Sequence, residues 1–227
     1  MNEFAIPSVY RAESFALTLI ASKPYTTLMP RIRTFVAVEI TPEVRRTTEE
    51  LQKALATAGV SAKWVEPDSM HFTLAFLGDI NDREIPLICK AARDACRTIP
   101  PFAVKIAGVG AFPNLRRPKI AWAGLTEGAS EMIALHDAVA ARLETTDLYN
   151  REERGYRPHL TLGRVKAEGD SETLANAIAK YATWIGGRVA VERVNVYSSM
   201  MKKSGPEYSL LGKAELTGKP KDEPEAE

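Results

Sequence analysis

Two short stretches, His71-Phe72-Thr73-Leu74 and His159-Leu160-Thr161-Leu162, decide how this chain folds. Each reads His-x-Thr-Leu and belongs to a short run with the look of a strand. In an extended strand residues i and i+2 share a face. His71 and Thr73 therefore point one way, and Phe72 and Leu74 the other. His159 and Thr161 are set against Leu160 and Leu162 in the same sense. Each strand has an apolar face to pack under a helix and a polar face left open.

The segments around the two stretches repeat in the same order. Arg33–Ile40 reads as a strand, and Thr41-Pro42 supplies an N-cap and a first-turn proline for a helix running to Gly59. Val44, Leu51 and Leu55 lie on one side of that helix. After the strand His71–Leu77, Asn81 and Glu84 have capping-box spacing. Ile85, Ile88, Cys89, Ala92 and Cys96 then recur at helical period, with Pro86 blurring the start. Phe102–Val109 is a third strand. The order returns as the strand Lys119–Leu125, the helix Ser130–Leu143, the strand His159–Val165, the helix Ser171–Thr183 and the strand Arg188–Ser198. Tyr208–Leu216 adds a last strand. Corresponding strands are offset by 86, 88 and 86 residues. These offsets predict an α+β fold made of one β-α-β-α-β unit used twice, with two lobes related by a pseudo-twofold around a central cleft. Repeat one spans about 31–112 and repeat two about 117–200, with a final strand over 206–216.

Residues 1–28 lack a clear amphipathic period and read as a poorly ordered extension. The stretch Phe15–Ala21 is far shorter than the ~20 apolar residues of a membrane span. Residues 217–227 are polar and charged and read as a disordered tail. A single domain over 29–216 is expected to carry the activity. Net charge is +1, which excludes a protein that coats long nucleic acid but leaves room for a short or terminal RNA substrate. Cys89 and Cys96 lie seven apart on one helix, roughly 10 Å along its axis, too far for a disulfide. With no CxxC or HExxH pair, the chain reads as cytoplasmic and without structural zinc.

If the polar faces of the two histidine strands confront each other, two imidazoles and two hydroxyls surround one small space. Phosphodiester cleavage needs a base to activate water and an acid to protonate the leaving oxygen, and histidine suits both. Thr73 and Thr161 can donate to the non-bridging phosphoryl oxygens. The chemistry calls for no metal and no cofactor. His136 differs: it lies on the apolar stripe of a helix with Met132, Val139 and Leu143 and reads as a packed residue. Arg164, three beyond Thr161, can pair with phosphate. Arg116, Arg117 and Lys119 form one basic loop, and Arg151, Arg154 and Arg157 another; either can track an RNA backbone. Tyr197 and Phe112 are candidates to stack on a base. Trp64 and Trp122 read as core, and Gly110–Pro118 as a turn.

At these residues the chain resembles the 2H phosphoesterases, which carry two H-x-T-x motifs in a duplicated fold. The likeness takes in Trp64-Val65, Leu77-Gly78, Gly110-Ala111-Phe112-Pro113, Arg116-Arg117-Pro118-Lys119, the run Arg157 to Arg164, and Val196-Tyr197-Ser198-Ser199, and covers about residues 31–215. It is nearest to the RNA 2′,3′-cyclic phosphodiesterase branch, also called 2′-5′ RNA ligases. The resemblance implies a monomer acting on RNA ends that bear a 2′,3′-cyclic phosphate, tRNA fragments among them, to give a 2′-phosphomonoester. It implies His71 as proton donor and His159 as proton acceptor, with ligation as the reverse reaction. The motifs themselves leave open other phosphodiester substrates (2′-5′ oligonucleotides, small cyclic nucleotides, a 3′ oligouridine). A module that only binds RNA ends is the alternative of another class, though such a module has no use for an acid–base pair.

Overall fold

Thr41 closes the first turn of the first helix by accepting the Val44 amide on its hydroxyl at 3.3 Å. That helix follows a strand of one sheet and packs against the other. The structure, a computed structural model, describes residues 31–151, 154–166, 171–203 and 205–220. The expected extension 1–28 and the last seven residues of the tail lie outside them. In chain order the elements are β1 (Arg31–Glu39), α1 (Pro42–Thr57), β2 (Ala62–Trp64), β3 (His71–Asn81), α2 (Ile85–Cys96) and β4 (Phe102–Phe112). There follow β5 (Ile120–Glu127), α3 (Ala129–Glu144), β6 (Leu160–Val165), α4 (Ser171–Lys180), β7 (Ile185–Val191), β8 (Arg193–Lys202) and β9 (Gly205–Glu215). The capping box forms as expected: the Asn81 amide donates to Glu84 at 2.9 Å, and the Asn81 side chain accepts from Arg83 at 3.0 Å. It caps a short 3-10 turn, so α2 starts only at Ile85 and Pro86 falls harmlessly in its first turn.

The strands form two antiparallel sheets, one in the order β3-β1-β8-β9 and the other β2-β6-β5-β4-β7. The repeats are interleaved. β4 of the first repeat joins β5 of the second, while β8 of the second joins β1 of the first. The series β3-β1-β8 and β6-β5-β4 therefore correspond, and each lobe takes strands from both repeats. The single strand expected over Arg188–Ser198 is in fact two. β7 pairs with β4 in one sheet and, after Glu192, β8 pairs with β1 in the other. The sequence carries the break as a slip in its period-two pattern: the buried valines are Val189 and Val191 before it, then Val194 and Val196.

The helices are exchanged in the same way. α1 packs on β7 and α4, and Thr47 donates to the Gly186 carbonyl at 2.6 Å. α3 packs on α2 and β3, and α2 on β8 and β9. Phe72, Leu74, Leu160 and Leu162, the apolar residues of the two motifs, are buried as their alternation requires. Cys89 and Cys96 are both free thiols.

The ordered chain passes the expected boundary at Leu216. Thr217 N–H donates to the Cys96 carbonyl at 3.1 Å and Gly218 N–H to the Ile99 carbonyl at 3.0 Å. Gly218 approaches Ile99 so closely that a Cβ there would lie 2.5 Å from its carbonyl carbon. A chain cut after Leu216 loses both bonds, each contributing about 1 kcal/mol. Its melting temperature should fall by several degrees, while a chain cut after Pro220 should melt like the whole protein. Equal melting of the two shortened chains would show that the docked end contributes nothing.

Candidate active site

Both histidines are hung in the same way. His71 Nδ1 lies 2.9 Å from the Ser69 carbonyl, and His159 Nδ1 lies 2.7 Å from the Arg157 carbonyl, each two residues upstream. A carbonyl oxygen only accepts, so each Nδ1 carries a proton and Nε2 is left as the reactive nitrogen. The two short segments before β3 and β6 thus fix tautomer and ring orientation without a carboxylate.

An aromatic neighbour holds each ring. Phe35 of β1 stacks on His71 at 4.8 Å between centroids, with Tyr197 stacked against Phe35 at 5.4 Å. Tyr208 meets His71 edge-on at 5.5 Å. Tyr208 is on β9, three strands from β3, which is about 14 Å in a flat sheet. The two side chains therefore lean toward each other across β1 and β8, over Phe35. On the other sheet Phe112 turns its face at 85° to His159, 4.9 Å away, and stacks on Trp122 at 5.1 Å. Trp122, expected in the core, is only half-buried and lines an open pocket instead. The sequence hides this because an isolated tryptophan in a strand reads as core on either face.

Thr73 and Thr161 are both partly exposed. Thr73 is tied to the second motif through its backbone: Tyr156, two residues before Pro158, donates its hydroxyl to the Thr73 carbonyl at 3.1 Å. The Tyr156 ring rests on His136 at 4.0 Å, and His136 is buried as its place in the helix stripe predicted. Nothing in the sequence singled out Tyr156, since a hydrogen bond spanning 83 residues leaves no local signal.

Arg164 reaches the cleft through a β-bulge. Thr161 pairs with Trp122 and Gly163 with Ala121, so Leu162 is the extra residue and Arg164 pairs with Ile120. Trp122 and Ile120 share a face, and the slip brings Arg164 to the Thr161 side, where simple alternation would have turned it away. Gln52 of α1 secures the bulge by donating to the Leu162 carbonyl at 2.7 Å and the Val65 carbonyl at 2.9 Å. The same slip on β3 brings Phe76 round to the Thr73 face, and the Arg33 guanidinium sits over its ring at 4.7 Å. Burial raises the Tyr208 hydroxyl above its ordinary range, and the charges of Arg33 from one sheet and Arg164 from the other both oppose that rise.

The remaining sequence candidates scatter. Arg157 is exposed, and its carbonyl rather than its guanidinium touches His159. Tyr197 is anchored by hydrogen bonds from its hydroxyl to Glu39 and from Asn195, with one face against Phe35. Arg151 pairs with Asp137 at 3.2 Å and Glu144 at 3.5 Å on α3. Arg154, Arg116 and Arg117 are exposed. The turn after β4 is shaped by the Asn114 side chain, which accepts the amides of Arg116 and Arg117. Among the described residues no three His, Cys, Asp or Glu side chains group as metal ligands would, and no helix is long and apolar enough to cross a membrane.

Burial pulls the proton affinity of His71 down to about 4 from its ordinary 6.5. The hydrogen bond to Ser69 works against this, and positive charge on His159 adds to it. The His159 charge is thus within electrostatic reach of His71. His159 is lowered too, by burial against the support of the Arg157 carbonyl. Each is therefore neutral near pH 7 in the free protein. An anion between them would raise both.

The sequence profile described as LigT-like phosphoesterase matches residues 38–122 and 127–208. The chain belongs to this family. An RNA 2′,3′-cyclic phosphodiesterase of Aquifex aeolicus is 30% identical over 84% of this chain and 100% of its own length. One of Methanothermobacter thermautotrophicus is 33% identical over 79% and 96%. Among solved structures, a protein of Thermus thermophilus superposes with a TM-score of 0.68 at 28% identity, covering 82% of this chain and 99% of that one. Escherichia coli LigT superposes at 0.66 with 20% identity over 83% and 99%, a likeness of fold. The two motifs stand within the two matched segments, one in each.

The depressed histidine of this LigT-like site has a consequence for stability. The unfolded chain takes up a proton near 6.5, while folded His71 resists until about 4. The unfolded state binds more protons in that window, so stability is full above it and falls as pH drops through it. The melting temperature should decline from pH 6.5 to pH 4, and His71→Gln should flatten the decline. An unchanged slope in the variant would show that His71 does not titrate as its burial requires.

Proposed function

We propose that this protein hydrolyses RNA 2′,3′-cyclic phosphates to 2′-phosphomonoesters by acid–base catalysis between His71 and His159. The observation that carries the reading is the pair of imidazoles, each pinned at Nδ1 by a carbonyl two residues upstream and both felt in one cleft. The names of the Aquifex and Methanothermobacter relatives support the substrate. Water attacks phosphorus as His159 Nε2 takes its proton. The bond from phosphorus to the 3′ oxygen breaks, and His71 Nε2 returns a proton to that oxygen. The phosphate stays on the 2′ oxygen. Thr73, Thr161 and Arg164 meet the charge on the non-bridging oxygens. Binding the anion restores the proton affinity that burial removes, so His71 is charged in the complex. With a 5′ hydroxyl of a second RNA end in place of water, the same steps join the ends: the 5′ oxygen bonds to phosphorus as the bond to the 3′ oxygen breaks, leaving a 2′-5′ diester. All four motif side chains come from one chain, which supports action as a monomer, and the free thiols fit the cytoplasm.

The site is nearly symmetric, so the roles of the histidines are tested by chemistry. A substrate with a good leaving group needs little protonation as it departs. It should rescue His71→Ala far more than His159→Ala, each of which should otherwise cost orders of magnitude in kcat. Rescue of His159→Ala alone would reverse the assignment. Turnover should also survive saturating EDTA, because no step above uses a metal. Abolition by EDTA with restoration by one divalent ion would replace this mechanism by a metal-assisted one.

A further inference from the structure

Beside Thr161 the second sheet carries a depression that the two-histidine chemistry leaves unused. It measures about 610 Å³ and is lined by Gly110, Ala111, Asn114, Leu115, Arg116 and Trp122. That is within the range of sites that hold small organic molecules. Trp122 pairs with Thr161 on one side and with Gly110 on the other. The indole occupies the space above Gly110: a Cβ there would come within 2.2 Å of the ring, so only glycine leaves room. Phe112 stacks on the indole and meets His159 edge-to-face at 4.9 Å, so an unbroken aromatic surface leads from His159 to the pocket. The indole N–H is buried and finds no acceptor among the described residues. Packing rather than hydrogen bonding holds the ring, and what it offers a ligand is its π surface. The opposite wall is the loop between β4 and β5, where Leu115 is exposed although apolar and Arg116 adds an exposed cation.

We propose that this pocket receives the nucleobase of the nucleotide that carries the cyclic phosphate, stacked on Trp122 and walled by Leu115. Arg116 then meets the phosphate that joins that nucleotide to the rest of the strand. The proposal rests on the reading of the site as a cyclic phosphodiesterase and adds where the terminal base sits. A base on an aromatic platform needs no fixed hydrogen-bond pattern, and Asn114 is already engaged with its own loop.

The test compares a 2′,3′-cyclic mononucleotide with methyl riboside 2′,3′-cyclic phosphate, which keeps ribose and ring phosphate but has methoxy in place of the base. The whole protein should favour the nucleotide by roughly 5-fold or more in kcat/KM, mainly through KM. Trp122→Ala should narrow that ratio. Leu115→Ser should narrow it too, and at an exposed loop position it does not endanger folding. Equal kcat/KM for the two substrates would overturn the pocket while leaving hydrolysis intact; turnover of neither would overturn hydrolysis. A measurement independent of turnover covers that second case. In ¹⁵N-labelled protein the Trp122 indole resonance, assigned by its loss in Trp122→Phe, should shift with a 2′-nucleotide and not with inorganic phosphate. No shift, or the same shift with phosphate alone, would overturn the pocket.

Discussion

Each imidazole hangs from a hydrogen bond to a carbonyl two residues upstream, and the rest of the site is built around that bond. It places the proton on Nδ1 and leaves Nε2 as the group that can take or give one. A carboxylate in the same place would favour the imidazolium. A neutral carbonyl orients the ring with far less effect on its charge, so burial decides the protonation state and both histidines stay neutral until an anion arrives. In the proposed reaction the substrate makes an acid and a base out of two similarly hung groups. Which one serves as acid depends on where the leaving oxygen lies.

Interleaving makes that arrangement rigid. If each repeat had closed into its own lobe, only loops would have held the two motifs in relation. Here β4 and β8 are exchanged between the sheets, and α1 and α3 cross in the same way. Moving one motif against the other would break sheet hydrogen bonds in both lobes. The Tyr156 bond to the Thr73 carbonyl adds a direct tie inside the cleft. Phe35 and Tyr208, reaching His71 from β1 and β9, shield one imidazole with side chains of its own sheet.

Bulges provide what alternation cannot. A regular strand would give the cleft His159 and Thr161 but turn Arg164 outward. One extra residue at Leu162 reverses the phase, and Gln52 gives the Leu162 carbonyl a second donor beside the Val65 amide. A buried glutamine is costly unless its polar groups find partners. Its amide nitrogen finds two carbonyls here, one in each segment that flanks the bulge. The matching slip on β3 delivers Phe76 and leaves β1 to supply the guanidinium through Arg33. The two halves thus reach a similar distribution of charge by different residues.

The three-residue β2 aside, the sequence by itself determined the helices and most strands, their order, the duplication and the four motif side chains. All of these follow from short-range rules: period two in strands, period 3.6 in helices, caps, and His-x-Thr on one face. The fold class and the burial of Phe72, Leu74, Leu160 and Leu162 could be read for the same reason. What the tertiary structure alone decided depends on contacts between residues far apart in the chain. The split of Arg188–Ser198 between two sheets was written only as a one-residue slip, too small to read without knowing the partners. Arg151 was taken up by Asp137 and Glu144, and Trp122 left the core because Gly110, twelve residues away on the neighbouring strand, has no side chain. Tyr156, Tyr208, Phe35 and Gln52 carry no motif. They matter through the rings and carbonyls they meet, and strand pairing and bulge position set those meetings.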